Sequence, residues 1–373
     1  MSPPSGRRTV GPVRSESVAM QLPVMPPISP MLAKNAVKLP ADEGWLFEPK
    51  WDGFRCMVFR DGEEIELWSR HGRHFNRYFP ELADPLLAQL PPRVVLDGEL
   101  VVPDGDGLSF DLLGQRIHPA ASRVMMLAET TPARYVAFDV LAVGDEDLRA
   151  TPFCARRARL EAMLADVSPP LHLTPATDDH ATASDWFERF EGAGVDGIIA
   201  KPLADPYAEG VRAQLKLKHQ RTADVVVAGM RWHKSGDGVG SLLLGLWRND
   251  HLQHIGVASS FTAKRRVELA DELADLRLDD VSEHPWAAWT DEAAHDAQRM
   301  PGAPSRWSGQ RESDWIPLRI ERVAEVGFNQ LTEGRLRHPA KFVRWRPDKP
   351  PRDCTYEQLE VAPPAELDQV FGA

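Results

Sequence analysis

Short apolar runs punctuated by Asp-Gly, Gly and Pro follow one another from about residue 31, and most are of strand length. The run 45–48 predicts a strand leading into Lys50-Trp51-Asp52-Gly53, with Asp52-Gly53 as a tight turn. Segments 55–60 and 65–69 flank Asp61-Gly62 and predict a hairpin. The stretch 93–102 has Asp97-Gly98 at its middle and reads as a buried hairpin-like pair carrying an embedded acid, Glu99. Residues 135–141 form another apolar strand, centred on Phe138. Leu160, Met163, Leu164 and Val167 repeat at helical spacing over 155–167. Thr182 and Asp185 read as a capping box for a second helix that ends near Gly192 and Gly194. Val195-Asp196-Gly197-Ile198-Ile199-Ala200-Lys201 reads as an acidic turn, a buried strand and a lysine. Gln214-Leu215-Lys216-Leu217-Lys218 places two lysines on one strand face.

The texture changes after Thr222. Strands at 225–227, 241–247 and 254–260, joined by Gly, Asp and Ser loops, predict a small β-barrel, with a helix over 264–278 and closing strands at 323–328 and 340–345. Residues 1–21 are rich in Pro, Ser, Arg and Gly and are expected to be a disordered arm. The tail beyond Asp353 reads as peripheral.

Composition narrows the class. A chain of 373 residues, 43% hydrophobic and 27% charged, fits two globular domains. No apolar run reaches membrane-span length and the N-terminus lacks the apolar core of a secretory signal. Cys56, Cys154 and Cys354 lie far apart with no zinc spacing, so a reduced, cytoplasmic protein without structural metal is expected. The net charge of −11 argues against a nucleic-acid partner until its distribution is read. Residues 205–266 hold ten Lys/Arg against five Asp/Glu, and 317–349 hold eight against four. Between them, 267–316 hold four against twelve. Two basic segments thus flank an acidic one, and local patches govern phosphate binding more than totals do. Charge runs are also what an ordinary solvated face shows.

Several residues carry chemistry. A lysine held beside a rigid turn and near other cations can lose its proton and attack an electrophile, although most Lys-x-Asp-Gly strings are merely solvated turns. Glu99 on an apolar strand needs a cation, hydroxyl or metal partner. Phe138 read alone is plain core. Lys216 and Lys218 repel each other unless an anion lies between them.

The order of these strings resembles the covalent nucleotidyltransferases, and within them the ATP-dependent DNA ligases, over about residues 25–350. Lys50-Trp51-Asp52-Gly53-Phe54-Arg55 is similar to motif I of that family, K-x-D-G-x-R, and Ser69-Arg70-His71-Gly72 to motif Ia. Asp97-Gly98-Glu99 resembles motif III, Phe138 motif IIIa, residues 196–201 motif IV, Lys216 and Lys218 motif V, and Arg346-x-Asp348-Lys349 motif VI. Seven matches in order make chance a poor explanation. Pro30-Met31-Leu32-Ala33, Gly240-Ser241-Leu242-Leu243-Leu244-Gly245 and Phe342-Val343-Arg344-Trp345-Arg346-Pro347-Asp348 bring the resemblance closest to the LigC-type bacterial enzymes. Motif IV usually begins with Glu, and Asp196 stands there one methylene shorter.

The resemblance implies an α+β nucleotidyltransferase (adenylation) domain over 22–219, followed by an OB-fold over 220–373 with an acidic insertion near 284–315. It implies Lys50 as the nucleophile that forms lysyl-AMP from ATP. Lys216 and Lys218 would hold the α-phosphate, Glu48 the adenine amino group, Phe138 the adenine face, and Arg55 and Glu99 the ribose. Glu99 and Asp196 would ligate Mg²⁺ or Mn²⁺. Arg346, Asp348 and Lys349 would orient pyrophosphate, Arg70 would contact DNA phosphate, and a hinge is expected near 219–222. The implied partner is nicked duplex DNA, with DNA-repair proteins beside it, for a monomer that is nucleoid-associated and binds no membrane. Rival readings are an RNA ligase, a GTP-using capping enzyme, an NAD-dependent ligase and a catalytically silent DNA-end-binding module.

Overall fold

The computed structural model describes residues 20–105, 107–190, 193–219, 221–236, 238–288, 315–328, 331–332 and 334–359. In chain order its main strands in the first half are β1 (Leu32–Ala36), β2 (Trp45–Trp51), β3 (Phe54–Asp61), β4 (Glu64–Ser69), β5 (Arg93–Val101), β6 (Arg134–Val143), β7 (Leu171–Leu173), β8 (Val195–Pro202) and β9 (Arg212–Lys218). They form two sheets, β1-β9-β8-β2 and β7-β6-β5-β3-β4. Asp52 and Gly53 make the turn from β2 into β3, so the chain passes from the first sheet to the second one residue past Trp51. Lys50 therefore lies inside β2, which runs three residues further than the sequence reading gave it.

Two Asp-Gly strings read as turns are not turns. β5 is one continuous strand through Asp97-Gly98, paired with β3 on one side and β6 on the other. A Cβ at Gly98 would lie 2.4 Å from the Tyr135 ring, so the glycine admits a close neighbour and does not reverse the chain. Asp196-Gly197 likewise sits within β8, at an irregularity in its pairing with β2. Gly197 has φ +139, and a Cβ there would lie 2.0 Å from the Leu217 carbonyl oxygen on β9. The two strands approach at Asp196 because residue 197 has no side chain.

The helix expected over 155–167 spans Phe153–Met163. The next, His180–Arg189, is capped by Asp179, whose carboxylate accepts from the Thr182 amide at 2.8 Å; the Thr182/Asp185 pair lies one turn inside it. Asp179 outcompetes Thr182 as cap because an acidic acceptor one residue before the first turn reaches that amide directly.

The second half is an antiparallel path of β10 (Arg221–Trp232), β11 (Val239–Arg248), β12 (His251–Ala258), β13 (Val323–Phe328) and β14 (Lys341–Trp345), ordered β12-β11-β10-β13-β14. Its two ends meet. Ala258 bridges Ala340 in parallel, and the Ala340 amide donates to the Val257 carbonyl at 2.8 Å. The path therefore closes into a five-stranded barrel, with the helix Ala263–Glu272 between its third and fourth strands, which is an OB-fold. Leu242, Leu244, Val226, Val326 and Trp286 fill its core.

The stretch after Asp353 is not peripheral as far as it is described. Cys354 and Leu359 are buried in the barrel core, and the Cys354 carbonyl accepts from the Trp247 amide at 2.8 Å. Their apolar side chains complete a core that the strands alone leave open. Residues 1–19 of the expected arm and 289–314 of the acidic insertion lie outside the described residues, whereas Gln21 is ordered by its amide bond to Asp61 at 2.7 Å. Among the described residues no helix is long and apolar enough to cross a membrane.

Candidate active site

Cross-strand pairing builds the site. Ile199 on β8 faces Glu48 on β2 and Lys216 on β9, and one step along Gly197 faces Lys218. Period-two alternation puts Glu48 and Lys50 on one face of β2, and Lys216 and Lys218 on one face of β9. At the Asp196-Gly197 irregularity the Asp196 carboxylate lies between the two lysine rows. Its Oδ2 accepts from Lys50 Nζ and from Lys218 Nζ, each at 2.7 Å. Lys50 and Lys218 stay 19% and 25% exposed while Asp196 is 7% exposed, so the lysines face an opening and the acid forms its floor.

Charge explains the pKa directions. Burial alone would raise the Asp196 carboxyl, but Lys50 and Lys218 outweigh it and hold it below its ordinary value. Among the described residues Lys216 has no such ion pair. Burial, then the charges of Lys218, Lys50, Arg212 and Arg70, push its ammonium down. Five cations thus crowd one opening, which is an electrostatic demand for an anion. The exposed Arg70 contributes from the turn after β4. Glu99 is pushed up to about 7 by burial, against the pull of Arg55 and Lys50.

Arg55 does something the sequence reading missed. Its guanidinium forks onto the fully buried Asp97, which also accepts from the Tyr207 hydroxyl at 2.6 Å. The same guanidinium covers the Phe138 ring at 4.5 Å. Phe138 is 8% exposed and packs with Trp51, Val136 and Phe190, so much of its surface is core, as the plain reading of the sequence had it. Glu48 is 2% exposed. Its carboxylate is held by Lys201 at 2.7 Å and by Arg157 at 3.3 Å. Lys201 also donates to the Phe138 carbonyl at 2.9 Å. Burial raises the Glu48 carboxyl and lowers the Lys201 ammonium, each partly offset by the other. Glu48, Phe138 and Arg55 are therefore fixed by a second layer: Lys201, Arg157 and Asp97. Lys201 and Asp97 lay within strings already singled out, and a buried charge on an apolar strand was the signal for both.

The structure does not bring Arg346, Asp348 and Lys349 to Lys50. Arg346 and Lys349 pair with Asp224 on the barrel, and Asp348 pairs with Arg346. Among the described residues, Arg337 of the barrel reaches the lysine turn. Its Nη1 donates to both Asp52 oxygens at 3.1 and 3.0 Å, and its guanidinium lies 3.2 Å from the Phe110 ring centroid. His338 follows beside it. Burial and the charges of Arg337 and Lys218 lower its pKa, while Asp52 and Asp196 oppose them. No sequence motif marked either residue.

Comparison with known proteins identifies the family. Residues 30–218 match the family model described as ATP dependent DNA ligase domain, and residues 235–349 match that described as ATP dependent DNA ligase C terminal region. The chain belongs to the ATP-dependent DNA ligases. DNA ligase C2 of Mycolicibacterium smegmatis is 52% identical over 348 residues, covering 92% of this ligase and 97% of that protein. DNA ligase C of Mycobacterium tuberculosis is 51% identical, covering 91% and 96%. A solved structure from a study of Lig E DNA ligases, 16% identical, superposes with a TM-score of 0.53 over 85% of this ligase and 99% of that chain. That likeness shows the shared fold.

Proposed function

We propose that this ligase seals nicks between a 5′-phosphate and a 3′-hydroxyl in duplex DNA through a lysyl-AMP on Lys50. The convergence of Lys50 and Lys218 on Asp196, with Lys216 on the same strand face, carries the reading. Lys50 gives up its contact with Asp196 and passes its proton to solvent water, and its Nζ attacks the α-phosphorus of ATP. A P–N bond forms and the bond to pyrophosphate breaks. Lys216 and Lys218 offset charge on the non-bridging oxygens. Phe138 and Glu48 border the base and Arg55 the ribose. The AMP then moves to the DNA 5′-phosphate as the P–N bond breaks, and attack by the 3′-hydroxyl expels it. Arg70 holds DNA phosphate without reading sequence.

Glu99 and Asp196 are hard oxygen donors and suit Mg²⁺. Among the described residues no three His, Cys, Asp or Glu side chains converge, so such an ion would complete its shell with water and phosphate oxygens, as Mg²⁺ commonly does. When bound, it adds charge stabilisation to the transferring phosphate. Arg346, Asp348 and Lys349 orient pyrophosphate in the first step, and a barrel rotation about residues 219–222 brings them there. A role in DNA repair, in the bacterial cytoplasm with the nucleoid, follows from the substrate.

The test is sealing of an end-labelled nicked duplex with ATP, GTP or NAD supplied separately, beside the same nick built with RNA strands. Sealing of DNA with ATP alone is expected. Sealing confined to RNA, or DNA binding with no sealing under any nucleotide, would displace this reading.

A further inference from the structure

Asp224 lies at the fourth position of β10 and takes no part in the site described above. Its carboxylate accepts from Arg346 Nη1 at 2.9 Å on each oxygen and from Lys349 Nζ at 3.2 Å. Its own backbone is clipped on both sides by one side chain. The Asp224 amide donates to Gln358 Oε1 at 2.8 Å, and Gln358 Nε2 donates back to the Asp224 carbonyl at 3.0 Å. The other edge of the Arg346 guanidinium rests on Asp348, from Nε at 3.0 Å and Nη2 at 2.8 Å. Two cations that would repel each other are thus held side by side by one anchored acid. Arg346 and Lys349 remain 22% and 26% exposed, and each has N–H bonds left for a ligand.

A pair of adjacent cations with spare donors matches the oxygens of a pyrophosphate better than either cation alone. Asp224 is on the first strand after the hinge, so it travels with the pair whenever the barrel rotates. We infer that Asp224 is a positioning residue for the leaving pyrophosphate, setting the spacing of Arg346 and Lys349 and acting only in lysyl-AMP formation. The inference rests on the reading that this pair serves ATP, as proposed above. Sealing of DNA already carrying AMP involves no pyrophosphate and should not feel Asp224.

The experiment compares the full-length chain with Asp224→Asn, Asp224→Glu and the double variant Arg346→Ala/Lys349→Ala, after thermal unfolding confirms that each is folded. Two rates are measured: lysyl-AMP formation against ATP concentration, and sealing of a pre-adenylated nick. Asp224→Asn should lower kcat/KM for ATP about ten-fold, mainly through KM, and leave pre-adenylated sealing within about two-fold. Asp224→Glu, which keeps the charge, should recover most of the loss. Equal losses in both rates for Asp224→Asn would make it a fold brace, and unchanged ATP use would make it a surface ion pair; either overturns the inference. Normal adenylation by the double variant sinks the underlying assignment as well. Loss in the double variant with a normal Asp224→Asn sinks the inference alone.

Discussion

Asp196 holds Lys50 and Lys218 on a single oxygen, and that contact fixes where both ammonium groups sit. Asp196→Asn keeps the shape and removes the charge. Lys50 and Lys218 then lose their shared partner, and lysyl-AMP formation should drop about ten-fold or more, read as incorporation of label from ATP. An unchanged rate would mean that Asp196 is only a structural acid. The proposed role of Glu99 as a metal ligand carries a pH dependence. Its carboxyl is raised to about 7, so it is protonated below that pH and charged above it. The Mg²⁺ concentration needed for half-maximal sealing should therefore rise as pH falls through 7. For the fold the sign is opposite: the preference for protonated Glu99 favours the native state at low pH and is lost as pH rises through 7. A Mg²⁺ requirement that is flat from about pH 6 to about pH 8 would remove Glu99 from the metal site.

At the scale of elements, four of the chain's seven Asp-Gly strings show what a sequence reveals and what it hides. Asp61-Gly62 and Asp52-Gly53 are turns, as local chemistry predicts. Asp97-Gly98 and Asp196-Gly197 are not, because partner strands press against their backbones, and that pressure comes from residues far away in the chain. The lysine rows, the hairpin and the barrel strands were legible because alternation and spacing are local. The Asp97 fork, the Lys201 brace and the Arg337 contact were not, since each joins segments that only the fold brings together. Gly197→Ala tests the element argument. With φ +139 and the Leu217 carbonyl 2.0 Å from the new Cβ, the substitution should cost about 2 kcal/mol or more of stability and loosen the Asp196 floor. Denaturant unfolding would show it, and a wild-type midpoint would mean that β8 and β9 separate easily.

Over the whole molecule, two sets of barrel cations rest on different acids. Arg337 ties the barrel to Asp52 at the lysine turn, while Arg346 and Lys349 rest on Asp224. Here Arg337, and neither Arg346 nor Lys349, meets the lysine turn; under the proposed function, in which the latter two serve pyrophosphate, that suits the steps on DNA. Arg337→Ala should slow sealing of a pre-adenylated nick about ten-fold and leave lysyl-AMP formation within about two-fold, the reverse of the pattern expected for Asp224→Asn. Equal effects on both steps would mean that the Arg337 contact serves stability alone. The net charge of −11 concealed this organisation, because Lys50, Lys216, Lys218, Arg212 and Arg70 act on one another locally.

The most direct test of the account is covalent labelling. The protein, first stripped of bound AMP with pyrophosphate, is incubated with Mg²⁺ and ATP labelled at the α-phosphate, and the adduct is mapped and then chased with nicked duplex DNA. Label is expected on Lys50, with none on Lys50→Ala, and it should transfer to the nick before sealing. Label on Lys50→Ala, or no label on the wild-type chain, would contradict this.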